Sequence, residues 1–290
     1  MNQDLILAIA LPLTLFLIMF SMGTNLTTAN FKTVLHTPFP VLVGIVSQMI
    51  LLPVLAYFLL KSFDMPAEIF AGFIILALSP GGTTSNMFSY FARANLALSI
   101  SLTAIVSVIT PFTIPLIAGW LLFSQLGTDS SFQLPLGITI LKLSVVTLLP
   151  VFLGMILRHF KPVFCISHKN IITRLPFIML LIVIAGIIYQ NWQQMPYFIS
   201  QTGLPALLLA TLALISAYIF ARSLKLNKAD SRTIAIETSI QNGGTAILVT
   251  GTILQNPTMT IAPVMYGILM LIPLFIYLTW LRLYKAETTS

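Results

Sequence analysis

The sequence predicts an all-α membrane protein with nine transmembrane helices, built as an inverted-topology repeat in which two broken helices cross. Three observations predict this fold. Hydrophobic residues make up 58% of the 290 residues and charged residues only 7%, whereas a soluble domain carries about 25% charged residues. The chain divides into nine apolar segments, and the loops between them alternate between basic and nearly uncharged. The triplet Gly-Gly-Thr also occurs twice, each time in the middle of an apolar segment.

The nine apolar segments are the predicted transmembrane helices, since about 20 apolar residues are needed to cross a bilayer as a helix. They are Leu5–Met22, Phe39–Leu60, Ala67–Phe91, Leu96–Leu122, Leu136–Leu157, Leu175–Tyr189, Leu204–Phe220, Thr233–Leu254 and Ile261–Trp280. The sixth segment is the shortest, and we expect its helix to extend beyond these bounds. No Lys or Arg precedes the first segment, whereas a signal peptide has a basic start. We therefore expect the first segment to remain as a membrane span.

The basic residues in the loops predict the orientation of the chain. The loops after the odd-numbered segments hold twelve of the 14 basic residues: Lys32, Arg93, Arg158, Lys161, Lys169, Arg174, Arg222, Lys225, Lys228, Arg232, Arg282 and Lys285. The opposite loops hold Lys61 alone, and Lys142 lies inside the fifth segment, where we expect it to reach the outer interface. The positive-inside rule then places the N-terminus outside and the C-terminus in the cytoplasm, across the inner (plasma) membrane of the cell.

The remaining composition argues against several other functions. The net charge of +7 does not predict nucleic-acid binding, because no basic face with interleaved aromatic residues occurs. The lipid bilayer is the expected partner instead. The single cysteine, Cys165, excludes a disulfide within the chain. His36, His159 and His168 lie in loops without ligand spacing, which argues against a metal site of imidazole ligands.

The two Gly-Gly-Thr triplets begin at Gly81 and Gly243, in the third and eighth segments. Because these segments are five helices apart, they cross the membrane in opposite directions, as in an inverted repeat. Arg93 follows Gly82 by eleven residues, and Arg232 precedes Gly243 by eleven residues. At 1.5 Å of rise per residue, both breaks lie about 16 Å from the cytoplasmic face. Two antiparallel helices broken at the same depth are expected to cross there.

The glycine pairs and Pro80 weaken the helix at both positions. The backbone groups that are freed need partners, and lipid supplies none. An ion and an anionic substrate are suitable partners, because the N-terminus of a half-helix carries partial positive charge. The alternative explanation is that the glycines only let two helices pack closely. The Ser, Thr, Asn and Gln side chains around both breaks favour a binding site.

Glu237 is the single acidic residue in the interior of a predicted span, since Glu68 lies at the edge of the third segment. A carboxylate there costs about 2.5–3.5 kcal/mol on insertion scales, so it normally has a functional partner. One alternative is that Glu237 lies at the interface and pairs with Arg232, five residues earlier in the chain.

Oxygen-bearing side chains accompany Glu237 on the helices near the breaks. They are Gln48, Ser85, Asn86, Ser99, Thr103 and Gln241. Glu237 and Gln241 share one helix face at a spacing of four residues, as do Ser99 and Thr103. Hard cations prefer oxygen ligands, and one net negative charge suits a monovalent ion. The sequence therefore predicts a sodium site.

Three stretches of the sequence resemble one family of membrane transporters. They are SPGGTTSNMFSYFARANLALSISLTAIVS at Ser79–Ser107, IETSIQNGGTA at Ile236–Ala246 and GIVSQMILLP at Gly44–Pro53. These motifs resemble the bile acid:sodium symporter family, in its bacterial branch. The resemblance implies a single transmembrane transporter domain over residues 1–290, made of a core domain and a panel domain. It implies panel helices at about 5–22 and 136–190 and core helices at about 39–122 and 204–280.

The resemblance also implies which residues bind sodium and substrate. It implies a first sodium site formed by Ser85, Asn86, Ser99, Thr103 and Glu237. It implies a second sodium site formed by Gln48, Glu237 and Gln241 with the backbone carbonyls of Thr238 and Ile240. Substrate is implied to bind at Thr83 and Asn242, beside the half-helix ends at Gly82 and Gly243. Two sodium ions per substrate are the implied coupling ions, and we expect no other cofactor.

We therefore expect a secondary active transporter, not an enzyme, that takes up an organic anion with sodium by alternating access. A bile-acid-like anion or a small hydroxy or oxo acid such as pantoate is the expected substrate, with Met270-Leu271-Ile272 standing where many relatives carry a His-Asn pair. A proton-coupled or exchange carrier of the same fold is the alternative. An intramembrane enzyme would need a second catalytic group, and no His or Asp lies in the predicted spans. A receptor without transport leaves the paired breaks unexplained.

Overall fold

The computed structural model describes residues 9–27, 37–126, 136–190 and 192–287, and regular secondary structure in these residues is helical. The longer helices are α1 Leu11–Asn25, α2 Pro38–Leu60, α3 Ala67–Ala77, α4 Thr83–Phe91, α5 Leu96–Leu126, α6 Leu136–Phe160, α7 Pro162–Ser167, α8 Lys169–Gln190, α9 Met195–Ser223, α10 Lys228–Ser239, α11 Gly243–Ile253, α12 Pro257–Leu269 and α13 Leu271–Glu287. Residues 5–8 of the first predicted segment, Lys32 and His36 lie outside the described residues.

Among the described residues, six stretches of helix are long and apolar enough to cross a membrane, so the chain is a multi-pass membrane protein. They are Pro38–Leu60, Leu96–Ile117, Ile140–Phe160, Lys169–Gly186, Trp192–Ser223 and Pro257–Leu283. Shorter apolar helices cover Pro12–Asn25, Ala67–Ala77 and Gly243–Ile253. The last two belong to the segments with glycine breaks, and each break shortens its helix below spanning length. The sixth predicted segment extends at both ends, to the bounds of α8.

The long helices carry bulky apolar side chains on their outer faces. Phe58 on α2, Phe152 on α6 and Ile182 on α8 are 67%, 67% and 62% exposed. In water, a surface of this kind would drive association, whereas lipid solvates it. These faces are therefore the lipid-facing surface of the protein.

Small residues on α9 bring the central helices close together. One face of α9 carries five fully buried alanines: Ala206, Ala210, Ala213, Ala217 and Ala221. α9 packs against α10, α12 and α2. Small residues let helices in a membrane approach closely, which strengthens the packing between them. α9 thereby holds α10, which carries Glu237, in the protein interior.

Glycines also bring α1 and α6 into close contact. A Cβ atom at Gly23 would overlap the backbone of Val151, and a Cβ atom at Gly154 would overlap the backbone of Phe20. α8 packs against the same helix α1. The three helices α1, α6 and α8 thus form one packed group.

The two helix breaks lie directly against each other. α3 ends at Ala77 and α4 begins at Thr83, whereas α10 ends at Ser239 and α11 begins at Gly243. Between them, the Asn242 N–H donates a hydrogen bond to the Pro80 carbonyl at 2.8 Å. The neighbouring pair, Gly81 and Gln241, forms an isolated antiparallel bridge. Backbone groups freed by one break are therefore satisfied by the other, as the apolar surroundings require.

Side chains complete the hydrogen bonding at the second break. Asn242 caps α11, because its Oδ1 accepts a hydrogen bond from the Thr245 N–H at 3.2 Å. The Tyr266 hydroxyl on α12 donates to the Ser239 carbonyl at 2.8 Å, at the end of α10. These contacts hold both half-helix ends in fixed positions.

Candidate functional site

Glu237 lies on α10 with 1% of its surface exposed, and three hydroxyl groups donate hydrogen bonds to its carboxylate. Ser85 Oγ donates to Oε1 at 2.8 Å, and Thr103 Oγ1 donates to Oε2 at 2.9 Å. Ser99 Oγ also donates to Oε1. Since Ser85 lies on α4 and the other two residues lie on α5, the carboxylate joins three helices.

The oxygens around Glu237 outnumber the hydroxyl protons. Each hydroxyl has one proton to donate, yet Ser99 Oγ contacts the carboxylate and also lies 2.7 Å from Asn86 Oδ1. Thr103 Oγ1 lies 2.9 Å from the carboxylate, 3.0 Å from the Ser99 carbonyl and 3.5 Å from Asn86 Oδ1. The surplus lone pairs suit a hard cation. All five residues of the first predicted sodium site meet here, and sodium binding by them stays a prediction.

A second group of polar atoms lies near the same carboxylate. Gln48 is 1% exposed in the π-helical turn Ser47–Leu51 of α2, and its Oε1 and Nε2 have no hydrogen-bond partner among the described residues. Within the same part of the chain, Gln241 Oε1 also lacks a partner. Gln241 Nε2 donates to the Thr238 carbonyl at 2.8 Å. A buried polar group without a partner costs about 1–3 kcal/mol, so the two unpaired amide oxygens are suited to a bound ligand.

Gly81 connects the first helix break to both groups of oxygens. A Cβ atom at this position would lie 3.3 Å from Gln48 Nε2 and would overlap Glu237 Oε2. Glycine is therefore required so that the break can approach the carboxylate. Ile240, the remaining residue of the second predicted sodium site, ends α10 in an extended conformation and is fully buried.

Arg232 does not neutralise Glu237. Its Nη1 instead donates to the Ala92 carbonyl at 3.4 Å. The interpretation of Glu237 as an interfacial residue paired with Arg232 is therefore wrong, because the carboxylate faces hydroxyl groups in the interior. No cluster of three His, Cys, Asp or Glu side chains able to hold a metal occurs in the residues that the structure describes.

Polar side chains spaced by four residues align α5 with α10. Asn95, just before α5, and Ser99 and Thr103 on α5 lie at four-residue spacing, and α10 carries Thr233 and Glu237 on the facing side. The Asn95 N–H donates to Thr233 Oγ1 at 2.8 Å, and Thr233 Oγ1 lies 3.1 Å from the Asn95 carbonyl. One turn further along both helices, Ser99 contacts Glu237. This row of contacts, the α5–α10 polar ladder, fixes the rotation of the two helices about their axes.

Asp230 anchors the end of the α5–α10 polar ladder. It is 6% exposed, and its two carboxylate oxygens accept hydrogen bonds from Asn95 Nδ2 and Asn227 Nδ2, each at 2.7 Å. Asp230 lies outside the predicted spans, so its place in the sequence alone gives it no role. Its role depends on the contact with Asn95, which is 135 residues away in the chain.

The predicted substrate residues border a cavity of about 420 Å³ beside the breaks. Gly82, Asn242 and Gly243 all line it, and the side chain of Thr83 lies outside the described residues. Most of the other lining residues are apolar and come from α1, α8 and α12. Met270 and Leu271 also line the cavity. The cavity therefore offers an apolar wall with backbone polar groups at one end.

The sequence of the chain matches a known family of membrane proteins. The model of the Sodium Bile acid symporter family matches residues 12–201, well over half of the chain. The chain belongs to the sodium bile acid symporter family. This result confirms the resemblance found in the sequence motifs. It also makes the protein a membrane transporter rather than an enzyme.

Individual relatives agree with this placement. The uncharacterized sodium-dependent transporter YocS of Bacillus subtilis is 28% identical over 238 residues, which cover 80% of this chain and 71% of that protein. The probable sodium/metabolite cotransporter BASS1 of Arabidopsis thaliana chloroplasts is 30% identical over 82% of this chain, which spans only 58% of that relative. The human ileal sodium/bile acid cotransporter is 29% identical over 82% of this chain and 68% of that protein.

Proposed function

We propose that this protein takes up an organic anion together with sodium by alternating access. The oxygen cluster at Glu237 carries the proposal, because its lone pairs outnumber its hydroxyl protons around one buried carboxylate. Relatives named as sodium-dependent transporters or sodium cotransporters support sodium as the cation. In this proposal sodium is a co-transported substrate.

Two sodium ions would share the carboxylate of Glu237. Side chains from α4 and α5 complete the first site: Ser85, Asn86, Ser99 and Thr103. The second site takes the unpaired amide oxygens of Gln48 and Gln241 together with the carbonyls of Thr238 and Ile240. This arrangement gives each unpaired oxygen a partner, which removes the cost of burying it alone.

The charge balance of the two sites explains why sodium would favour an anion. Two sodium ions and one carboxylate leave one net positive charge next to Asn242, which caps the half-helix α11. At an effective dielectric constant of ~20 and a separation of ~8 Å, this charge attracts a monoanion by about 2 kcal/mol. That energy corresponds to roughly a 30-fold gain in anion affinity. By linkage, the bound anion strengthens sodium binding by the same factor.

An inverted repeat of two halves would supply the alternating access. Helix starts recur at a constant spacing of 161 residues: Pro66 and Asn227 precede α3 and α10, and Asn95 and Asn256 precede α5 and α12. Gly243 also follows Gly82 by 161 positions. We assign the nine spans to this repeat, with the breaks in a core domain. The packed group of α1, α6 and α8 would form the panel domain against which the core moves.

The orientation that we propose follows from the loop charges. With the basic loops in the cytoplasm and the N-terminus outside, the inner membrane of a bacterial cell provides an inward sodium gradient. Uptake of the anion into the cell, driven by this sodium gradient, is the proposed direction of transport. Bile-acid-like anions and small hydroxy or oxo acids such as pantoate are the substrates to be tested first.

Sodium binding can be tested without knowing the natural substrate. The melting temperature of the purified protein is measured in NaCl and in KCl at equal ionic strength. A ligand present at 100 times its Kd stabilises a protein by about 2.7 kcal/mol, so we expect sodium to raise the melting temperature of the wild type. Glu237→Gln should lose this response. The matched control is Asp64→Asn, which changes an exposed acid in the same way and should keep it.

Transport is then measured in proteoliposomes with radiolabelled taurocholate and pantoate, under an imposed sodium gradient or proton gradient. Accumulation that requires sodium and is lost in Glu237→Gln supports the proposal. A sodium response that survives in Glu237→Gln overturns the assignment of the site. Accumulation driven by protons and indifferent to sodium favours the second candidate, a proton-coupled carrier, in which the buried carboxyl of Glu237 would carry the proton.

A further inference from the structure

A second cavity, of about 570 Å³, adjoins the oxygen cluster. Asn86 and Thr103 of the first predicted sodium site line it. The first turn and a half of α8 also lines the cavity, through Lys169, Asn170 and Arg174. The cavity therefore connects the sodium cluster with a pair of basic side chains.

The two cavities adjoin each other and share lining residues. Met87 on α4 and Thr173 on α8 line both of them. On α8, the lining residues follow one face at helical spacing: Lys169, Thr173, Phe177, Leu180, Ile184 and Ile188. α1 contributes a similar face, from Ile18 and Ser21 beside the first cavity to Met22 and Asn25 beside the second. These shared lining residues and continuous helix faces are the basis for treating the two cavities as one passage beside the oxygen cluster.

The chemistry of this passage changes along its length. Between Leu180 and Ile188 the α8 wall is apolar, whereas its first two turns present Lys169 and Arg174. Among the described residues that line the two cavities, these two are the only charged ones. Arg174 is separated by about 9 Å of helix rise from Leu180, which lies beside Gly244 at the second break, so the basic end of the α8 wall is distinct from the breaks.

We propose that Lys169 and Arg174 form a second anion-binding site at the mouth of this passage, separate from the breaks. Its ligands are organic monoanions with a carboxylate or sulfonate group and an apolar body. Arg and Lys bind such groups through charge-assisted hydrogen bonds. The apolar α8 wall next to them accommodates the rest of the molecule. This inference rests on the proposed function, because the same anions would pass through this site as they leave the transporter.

A positive cleft raises the local concentration of anions by about 10- to 1000-fold through field focusing. Lys169 and Arg174 also fit the charge distribution that sets membrane topology. A basic residue that only sets membrane topology can lie anywhere in the cytoplasmic loop. A binding site, by contrast, needs these two particular side chains. Arg158 and Lys161 provide the matched control, because they belong to the same basic loop region but line neither cavity.

Cysteine labelling tests the site with a sulfonate probe. The single cysteine, Cys165, is buried in α7 and is removed as Cys165→Ala. Met87→Cys then places one thiol in the passage, where Met87 is 47% exposed. The thiol is reacted in KCl with an anionic reagent, sulfonatoethyl methanethiosulfonate, and with a cationic one, trimethylammonioethyl methanethiosulfonate. The ratio of the two rates reports how strongly the passage concentrates organic anions.

We expect Lys169→Gln with Arg174→Gln to lower the anionic-to-cationic rate ratio about tenfold. Arg158→Gln with Lys161→Gln should change it less than about twofold. In the protein that retains both basic residues, raising KCl from 0.05 to 0.5 M should lower the ratio strongly, since salt screens the field. This last measurement needs no variant of the basic residues, so it applies even if the double variant does not fold.

Equal effects of the two double variants, or a ratio that does not respond to salt, would overturn the proposed site. The labelling requires neither sodium nor a transported substrate. Suppose that sodium stabilises the wild type but not Glu237→Gln, while the rate ratio is unchanged in Lys169→Gln with Arg174→Gln. This result would refute only the anion-binding site at Lys169 and Arg174 and leave the proposed function standing. If the ratio falls but sodium has no effect, the proposed function fails and the anion site remains.

Discussion

The two helix breaks have similar backbones but very different surroundings. Beside the first break, Ser99 and Thr103 on α5 face the carboxylate of Glu237. The positions 161 residues after these two are Thr260 and Val264 on α12. The position 161 residues before Glu237 is Leu76 on α3, which is 1% exposed. The matching side of the second break therefore has no carboxylate, and one of its two hydroxyl groups is replaced by a methyl group.

Beside the second break, the corresponding side chains have partners within the protein. Thr260 Oγ1 accepts a hydrogen bond from Thr250 and lies 3.1 Å from the Asn256 carbonyl, so its polar atoms have protein partners. Val264 packs in an apolar cluster with Val183 and Ile247. Glycine-containing breaks thus create two similar helix crossings, and the side chains on the flanking helices decide which of them offers oxygen atoms to a cation.

The largest effect is expected when the surroundings of the first break are changed to resemble those of the second break. Glu237→Leu copies the residue at the matching position, Leu76. We expect the rise in melting temperature caused by NaCl to vanish, because the single negative charge that balances the cations is removed. A melting scan in NaCl and KCl measures this. Any sodium response that remains would show that the cation binds away from the carboxylate.

A smaller effect is expected when one hydroxyl is removed. Thr103→Val copies Val264 and keeps the side-chain volume. Losing one oxygen ligand should weaken sodium binding about tenfold, which corresponds to about 1.4 kcal/mol. Titrating NaCl against the melting temperature gives the half-saturating concentration. Val264→Thr is the matched control and should leave this concentration unchanged, so a similar shift in both variants would contradict the comparison.

A still smaller effect should follow from changing the anchor of the α5–α10 polar ladder. Asp230→Asn cannot accept hydrogen bonds at both side-chain ends, so the contact with either Asn95 or Asn227 is lost. We expect the half-saturating sodium concentration to rise about threefold, because α5 is then held less firmly against α10. If Asp230 only stabilises the fold, the melting temperature will fall equally in NaCl and KCl, and the sodium titration will not move.

The smallest effect on sodium binding is expected from a change beside the second break. Thr260→Val removes the hydrogen bond with Thr250, and a hydrogen bond between membrane helices contributes about 0.6 kcal/mol on average. The melting temperature should therefore fall slightly in both salts, while the response to sodium stays the same. A weakened sodium response in this variant would mean that the two sides are coupled more strongly than their separate contacts suggest.

Much of the candidate site was predictable from local sequence features. Gly81, Gly243 and Pro80 interrupt apolar segments, so both breaks can be located without a structure. Glu237 stands out because it is the single acid in the interior of an apolar span. Asp230 could not be distinguished in this way, because it lies near a basic loop. Its buried position depends on Asn95, which is 135 residues away in the chain.

The membrane environment, the breaks and the residue types of the site can be read from the amino-acid sequence, because hydrophobic length, helix breaking and charge are local properties. Which helix faces meet depends on the tertiary structure. Ser85 and Glu237 are 152 residues apart, and their contact follows from how α4, α5 and α10 pack. The same holds for Lys169 and Arg174, whose loop charges indicate topology alone. Their position beside the second cavity depends on α8 packing against α1, which brings distant surfaces together.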